Sequence, residues 1–428
     1  MERLISGVGC LVLLGTAWLL SNNKREINLR VVLWGLLLQF IFAFIILKTT
    51  PGQVVFEYAR SAITRLLSFT DSGAAFLFGT LYRADPDIVK ELGGDGPFQI
   101  WDPENNQFIN IGIVFAMHVL PTIIFFASLM SILYHLGIMQ RIVNAVARVM
   151  SKFMGTSGAE SLSVAANIFI SQTEAPLVVK PFLGAMTMSE LMVIMTGGFA
   201  TVAAGVMVAY VRFGVDAGHL LAASVMSAPA ALVMAKIIFP ETEESQTQGE
   251  VKIEIEKTTV NVVDAAASGA ADGLKLALNV GAMLLAFIAL IAMLDFVLHN
   301  LGLVIGIEEL SLKKILGYIF APLALLMGVE LPDVLNFGYL LGTKISLNEF
   351  VAFIQLGQWK ETLSPRSFTI ATYALCGFAN FSSIAIQIGV IGGIAPNRKH
   401  DLARLSLKAM IAGALASWLT ATVAGLLI

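Results

Sequence analysis

The chain has 428 residues, of which 57% are hydrophobic and 13% charged, whereas soluble domains carry about 25% charged residues. With a mean hydropathy of +0.80, this is a polytopic membrane protein and not a soluble one. The formal net charge is −3 without a strong basic cluster, which gives no reason to expect nucleic acid or anionic lipid as a specific partner.

Apolar runs long enough to cross a hydrocarbon core of ~30 Å lie near residues 4–20, 31–47, 112–134, 190–211, 219–239, 274–298, 368–394 and 408–428. They predict eight spans. No small-residue cleavage site follows the first run, and Lys24, Arg25 and Arg30 come after it, so it reads as a retained helix with its amino end outside. The basic loops at 24–30, 141–152, 252–257 and 398–404 are then cytoplasmic.

Residues 51–111 and 300–330 are too polar or too broken to span, and read as surface or interfacial segments. Between 138 and 153, Arg141, Arg148 and Lys152 stand against Ile142, Val146 and Val149, the pattern of an amphipathic helix lying along the membrane. The stretch 241–259, ETEESQTQGEVKIEIEKTT, reads as a solvated linker dividing the chain into halves, with a short strand at 251–257 as the other reading.

The two halves carry an internal repeat. In the first, SQTEAPL is followed by GGFATVAAG at 197–205; in the second, SLNEFVAF at 346–353 is followed by CGFANFSSIA at 376–385. Gly198, Phe199, Ala200 and Thr201 echo Gly377, Phe378, Ala379 and Asn380. With eight spans and two short hairpins, the repeats enter from opposite sides, the inverted topology of many secondary transporters.

Segments 157–182 and 331–356 each hold two half-helices of roughly 18 Å, too short for two crossings of the core. Each enters, turns and leaves on one side. The first turn falls at 170–176, where Pro176 starts the returning helix because its missing N–H is not needed there; the second falls at 347–349. Non-helical backbone at membrane depth must face protein or a wet cavity, so these tips and the glycine-rich breaks define a site.

Glu174 and Glu349 are the leading candidates, since a carboxylate at the helix centre costs about 2.5–3.5 kcal/mol on insertion scales. The alternative is a structural carboxylate held by amides or a cation. Around them stand Gln172, Thr173, Asn348, Asn380, Ser382 and Ser383, amides and hydroxyls suited to a neutral ligand rich in hydroxyls and ring nitrogens. Helix-to-helix bonding is the other reading of these side chains. Cys10 and Cys376 read as buried packers. The five histidines, His118, His135, His219, His299 and His400, read as packing or interfacial groups. No zinc-protease helix, phosphate loop or nucleophile elbow is present, so transport outranks an intramembrane enzyme.

ESLSVAANIFISQTEAPLVVKPF, SLNEFVAF and CGFANFSSIA, together with GLKLALNVGAML at 273–284, resemble the signature segments of the concentrative nucleoside transporter family over nearly the whole chain. The fold this implies is all-α and polytopic: eight transmembrane helices plus two re-entrant helical hairpins in inverted repeats, with two broken helices and interfacial helices. The expected parts are scaffold helices and an interfacial segment in 1–135, the first half of a transport domain in 136–240, a cytoplasmic linker in 241–262, a long scaffold helix in 263–300, and the second half of the transport domain in 301–428.

The resemblance further implies a homotrimeric sodium-coupled symporter in the bilayer that moves a nucleoside, such as uridine or adenosine, by an elevator-like motion. Gln172, Thr173 and Glu174 would meet the nucleobase with Val206 and Phe378, and Glu349, Asn380 and Ser383 the ribose. Sodium would take the side chains of Asn167 and Thr201 and the carbonyls of Ile170 and Val202. Proton coupling is the alternative. Ser171 departs from the glycine usual in bacterial relatives, and Thr201 from a common serine. The length and the lack of the animal relatives' amino-terminal extension imply a bacterial protein of the inner membrane.

Overall fold

The computed structural model describes residues 2–79, 82, 99–102, 107–110, 114–247, 259–307 and 310–428. The chain begins with α1 (Glu2–Leu19) and α2 (Leu29–Lys48). Thr49 then accepts from the Gly52 amide and starts α3 (Thr50–Phe78), a single helix of 29 residues where the sequence promised broken interfacial pieces. A small antiparallel pair, β1 (Gln99–Asp102) with β2 (Gln107–Asn110), follows. It is the one departure from all-helical architecture among the described residues. Residues 80–81, 83–98, 103–106 and 111 of the interfacial segment expected over 51–111, and the suggested strand at 251–257, lie outside them.

Next come α4 (Phe115–His118), α5 (Leu120–His135) and α6 (Ile138–Met154). Helix α6 is amphipathic, but its buried stripe is Met139, Val143, Ala147, Met150 and Met154. Ile142 and Val149, read from the sequence as the apolar face of a helix lying along the membrane, are left exposed by the rest of the chain. Two apolar stripes adjoin on this helix, and charge positions alone do not say which one the protein covers. Arg30 closes the end of α6 by donating to the Lys152 and Phe153 carbonyls at 3.1 and 3.2 Å, a cation at the negative end of the helix.

The first hairpin is α7 (Gly158–Asn167), a non-helical turn at 168–174, then the short helices α8 (Ala175–Val178) and α9 (Lys180–Leu183). Pro176 sits in the first turn of α8. The first broken helix is α10 (Met188–Ala200), a break at 201–203 and α11 (Ala204–Arg212); α12 (Ala217–Ile238) follows. Ser157 with Glu160, and Thr187 with Glu190, form capping boxes that start α7 and α10, each satisfying two amide donors.

After the linker, α13 (Val262–Ile305) runs for 44 residues, close to the long helix expected over 263–300 and extending past the apolar run at 274–298; Asn261 caps it and Gly306 ends it in the left-handed region. Helix α14 (Leu312–Leu326) leads to the second hairpin, α15 (Val334–Ser346) and α16 (Glu349–Gln358), and then to the second broken helix, α17 (Pro365–Leu375), a break at 376–380 and α18 (Phe381–Ile394). Helix α19 (Lys399–Leu427) ends the chain.

Seven helical stretches are long and apolar enough to cross a membrane, the first broken helix counted whole. The eighth expected span is the second broken helix, whose two halves are each too short alone. Helices α1 and α2 lie against α19 and α12, while α5 pairs lengthwise with α13.

The start of the expected linker is solvated at Thr242, Glu243, Glu244 and Gln246 but anchored at Ser245 and Thr247. Thr247 is buried, its carbonyl accepts from the Gly158 amide at 2.9 Å, and its hydroxyl donates to Glu190 at 2.7 Å. Ser245 donates to the same carboxylate at 2.6 Å. Ser245 and Thr247 thus dock this end of the linker on the base of the first hairpin, while its other polar residues face outward.

Candidate functional site

The two breaks cross. Gly377 has φ +151°, and a Cβ there would sit 2.8 Å from the Phe199 carbonyl oxygen, so only glycine lets the second break lie on the end of α10. Against this crossing the two hairpin tips converge. The Ala204 amide donates to Phe169 O at 3.2 Å, fastening the first turn to the first break. Asn348 caps α16 through the Val351 amide at 2.9 Å, placing Glu349 in the first helical turn, where the exposed amide ends favour a carboxylate.

A continuous hydrogen-bonded chain joins the halves. The buried Glu349 accepts from Asn380 Nδ2 at 2.8 Å and from Tyr210 Oη at 3.5 Å. Asn380 Oδ1 caps α18 by accepting from the Ser383 amide at 2.9 Å and from the Ser382 hydroxyl at 2.7 Å. Gln172 donates to Ser383 Oγ at 3.1 Å, across 211 residues of sequence. Gln172 in turn accepts from Gln387 Nε2 at 2.9 Å, which also donates to the Met195 carbonyl at 3.2 Å. Gly198 makes this possible, since a Cβ there would lie 2.8 Å from Gln387 Nε2 and 2.9 Å from Gln172 Cβ.

Five of the eight candidate binding residues therefore gather closely: Gln172, Glu349, Asn380 and Ser383 by hydrogen bonds, and Phe378 within the second break. Val206 is buried near the start of α11. Glu174 is different. Its side chain is exposed and accepts from the Ser171 amide and hydroxyl at 3.1 and 3.0 Å, and Thr173 pairs with the same hydroxyl at 2.7 Å. The carboxylate closes its own turn in the manner of a capping box, so the serine noted in the sequence decides where Glu174 points.

The candidate cation ligands lie where the first turn meets the first break. Asn167 ends α7, donates to Ser163 O at 3.1 Å and lies against Gly197. Its Oδ1 is buried without a hydrogen-bond partner, which fits an oxygen waiting for a hard cation. Thr201 ends α10, and its hydroxyl donates to Gly197 O at 3.0 Å, leaving a lone pair free. Ile170 and Val202 belong to the turn and the break, where carbonyls stand outside the helical ladders. Among the described residues no cluster of three His, Cys, Asp or Glu side chains forms a metal site.

Gln387 and Tyr210 are the polar groups here that the sequence did not single out. Gln387 is an isolated amide in an apolar run, and only its contact with Gln172 marks it. The histidines pack as expected: His118 contacts the carbonyls of Val114 and Tyr82, and His219 the Tyr373 hydroxyl.

Three family models cover the chain: "Na+ dependent nucleoside transporter N-terminus" over residues 8–81, "Nucleoside recognition" over 116–217 and "Na+ dependent nucleoside transporter C-terminus" over 219–425. An uncharacterized transporter, YutK, of Bacillus subtilis is 44% identical over 422 residues, 98% of each chain. Sodium/nucleoside cotransporter 1 of Mus musculus is 41% identical over all of this chain and 64% of its own length. The solved structure of CNTnw in an inward-facing substrate-bound state matches with a TM-score of 0.90 at 40% identity, covering 100% of this chain and 98% of that one; an outward-facing variant of the same protein matches equally well. The chain belongs to the Na+ dependent nucleoside transporter family, the concentrative nucleoside transporters.

Proposed function

We propose that this protein is a sodium-coupled symporter that imports nucleosides across the bacterial inner membrane as a homotrimer, by an elevator-type alternating-access movement. Its family makes it a nucleoside transporter, not an enzyme, with Na+ as the co-transported ion. The observation that carries the finer reading is the chain Glu349–Asn380–Ser383–Gln172, which draws one hydrogen-bonding surface from both inverted halves.

In this reading Glu349, Asn380 and Ser383 receive the ribose hydroxyls, and Gln172, Thr173 and Glu174 the base, with Val206 and Phe378 against its face. A carboxylate is a strong acceptor for hydroxyls, and an amide serves both donor and acceptor edges of a base. Sodium is held by Asn167, Thr201 and the carbonyls of Ile170 and Val202. It orders the first turn, two residues from Gln172, and thereby raises nucleoside affinity; nucleoside raises sodium affinity by the same factor. The inward-facing, outward-facing and intermediate states solved for CNTnw support alternating access in a protein of this shape.

Uptake of labelled uridine and adenosine into proteoliposomes, with sodium, choline and a proton gradient compared, tests the proposal. Accumulation above the external concentration only with inward sodium is expected. Accumulation driven by protons in choline would replace sodium with the alternative ion.

A further inference from the structure

Between residues 334 and 358 the second hairpin carries two charged side chains, Lys344 and Glu349. Glu349 belongs to the site already described; Lys344 has no part in it. Its side chain is wholly buried, and among the described residues no carboxylate is in ion-pair contact with it. Instead Nζ donates at 2.8 Å to the Ala374 carbonyl. Ala374 is the next-to-last residue of α17, and the chain break beyond it removes the helical partners of the last carbonyls. An ammonium there faces the negative end of a half-helix. Lys344 stands in the last turn of α15 and Glu349 in the first turn of α16, on the two sides of the same hairpin tip, and both are buried.

The same arrangement occurs in the first half with one member absent. There Asn167, near the end of α7, lies against Gly197 in the last turn of α10, with a buried oxygen lacking a partner. In the second half a side chain near the end of α15 reaches the last turn of α17, and that side chain carries its own positive charge.

We propose that Lys344 is a tethered cation, standing in the second half where the first half takes sodium, and that its ammonium at the broken end of α17 positions Glu349 as a carboxylate for ribose hydroxyls. This rests on the sodium and ribose assignments made above. It makes the two halves electrostatically alike: each joins a hairpin to a broken helix through a positive charge, one exchangeable and one covalently fixed. Lys344 is thus a positioning residue that acts through Glu349.

The test compares purified full-length parent, Lys344→Met and Lys344→Arg. Uridine binding is measured by calorimetry at saturating sodium, and sodium binding by its effect on melting temperature without nucleoside. Lys344→Met is expected to bind uridine at least about tenfold more weakly with its sodium response intact, and Lys344→Arg to stay within about threefold of the parent because the charge is kept. Parent-like binding by Lys344→Met, or equal losses in both variants, overturns the proposal. If Lys344→Met does not fold, Lys344→Met with Glu349→Gln removes both charges and is expected to restore a folded protein; continued misfolding is equally fatal to it. Absence of sodium-dependent uridine binding in the parent would instead count against the transport reading, whatever Lys344 does.

Discussion

Asn380 donates to Glu349 at 2.8 Å with its amide nitrogen while its oxygen caps α18 through the Ser383 amide at 2.9 Å. One side chain thus sets the direction of a half-helix and orients the carboxylate of the hairpin opposite. The proposed ligand surface and the fold share the same bonds.

Glu349→Gln removes a charged acceptor from this buried set. Truncating one partner of such a set costs ~2–5 kcal/mol, so uridine affinity is expected to fall roughly 30- to 4,000-fold. Calorimetry on the purified variant measures it, and undiminished uridine uptake would refute the ribose assignment.

Asn167→Ala deletes a buried side-chain oxygen at the end of α7 that has no protein partner. The sodium concentration for half-maximal uridine uptake is expected to rise at least about tenfold, with uridine affinity falling by linkage at fixed sodium. Unchanged sodium dependence in a flux assay would move the ion elsewhere.

Gly198→Ala places a methyl group 2.8 Å from Gln387 Nε2 and 2.9 Å from Gln172 Cβ. Overpacking of this kind costs about 1–3 kcal/mol, and here it pushes on the base-facing amide. Weaker nucleoside binding with an intact sodium response is expected; parent-like affinity would mean that Gln172 is not held by this contact.

Lys236 bonds Glu160 at 2.8 Å, Ser189 at 3.0 Å and Glu241 at 3.1 Å, tying the base of the first hairpin to α12 and the docked linker. Lys236→Met leaves Glu160 buried and uncompensated, an effect worth roughly 3–5 kcal/mol. A lower melting temperature in detergent is expected, partly recovered by adding Glu160→Gln. A melting curve like the parent's would show that the ion pair contributes nothing net.

Much of this was legible because polar residues inside apolar runs are costly and therefore informative. Tips at 170–176 and 347–349 and breaks within 197–205 and 376–383 follow from short segment lengths, Pro176 and the repeated glycines; the structure sets the first tip at 168–174 and narrows the first break to 201–203, with Gly197 and Gly198 still helical. The orientation of Glu174 was not read, although Ser171 three residues earlier has the spacing of a capping box. Gln387 and Lys344 were missed for a different reason. Each is a single polar residue whose partner lies in another element, Gln172 for one and Ala374 for the other, and one-dimensional periodicity carries no pairing information. The packed stripe of α6 was not marked in the sequence either, since Ile142 and Met139 are equally apolar and only the neighbouring helices distinguish them.

Helix α13 has 44 residues, a rod of ~66 Å at 1.5 Å per residue, and almost none of its apolar window is covered by the rest of the chain. A hydrocarbon layer of ~30 Å hides less than half that length even with ordinary tilt. The stretch bearing Asp264, Asp272 and Lys275 does not stand free: Gly269 lies against Ala127 and Ser131, Gly273 against Ala127 and Ile124, and the Ser128 hydroxyl bonds the Ala266 carbonyl, so the rod is splinted to α5 along its first half and bare along its second.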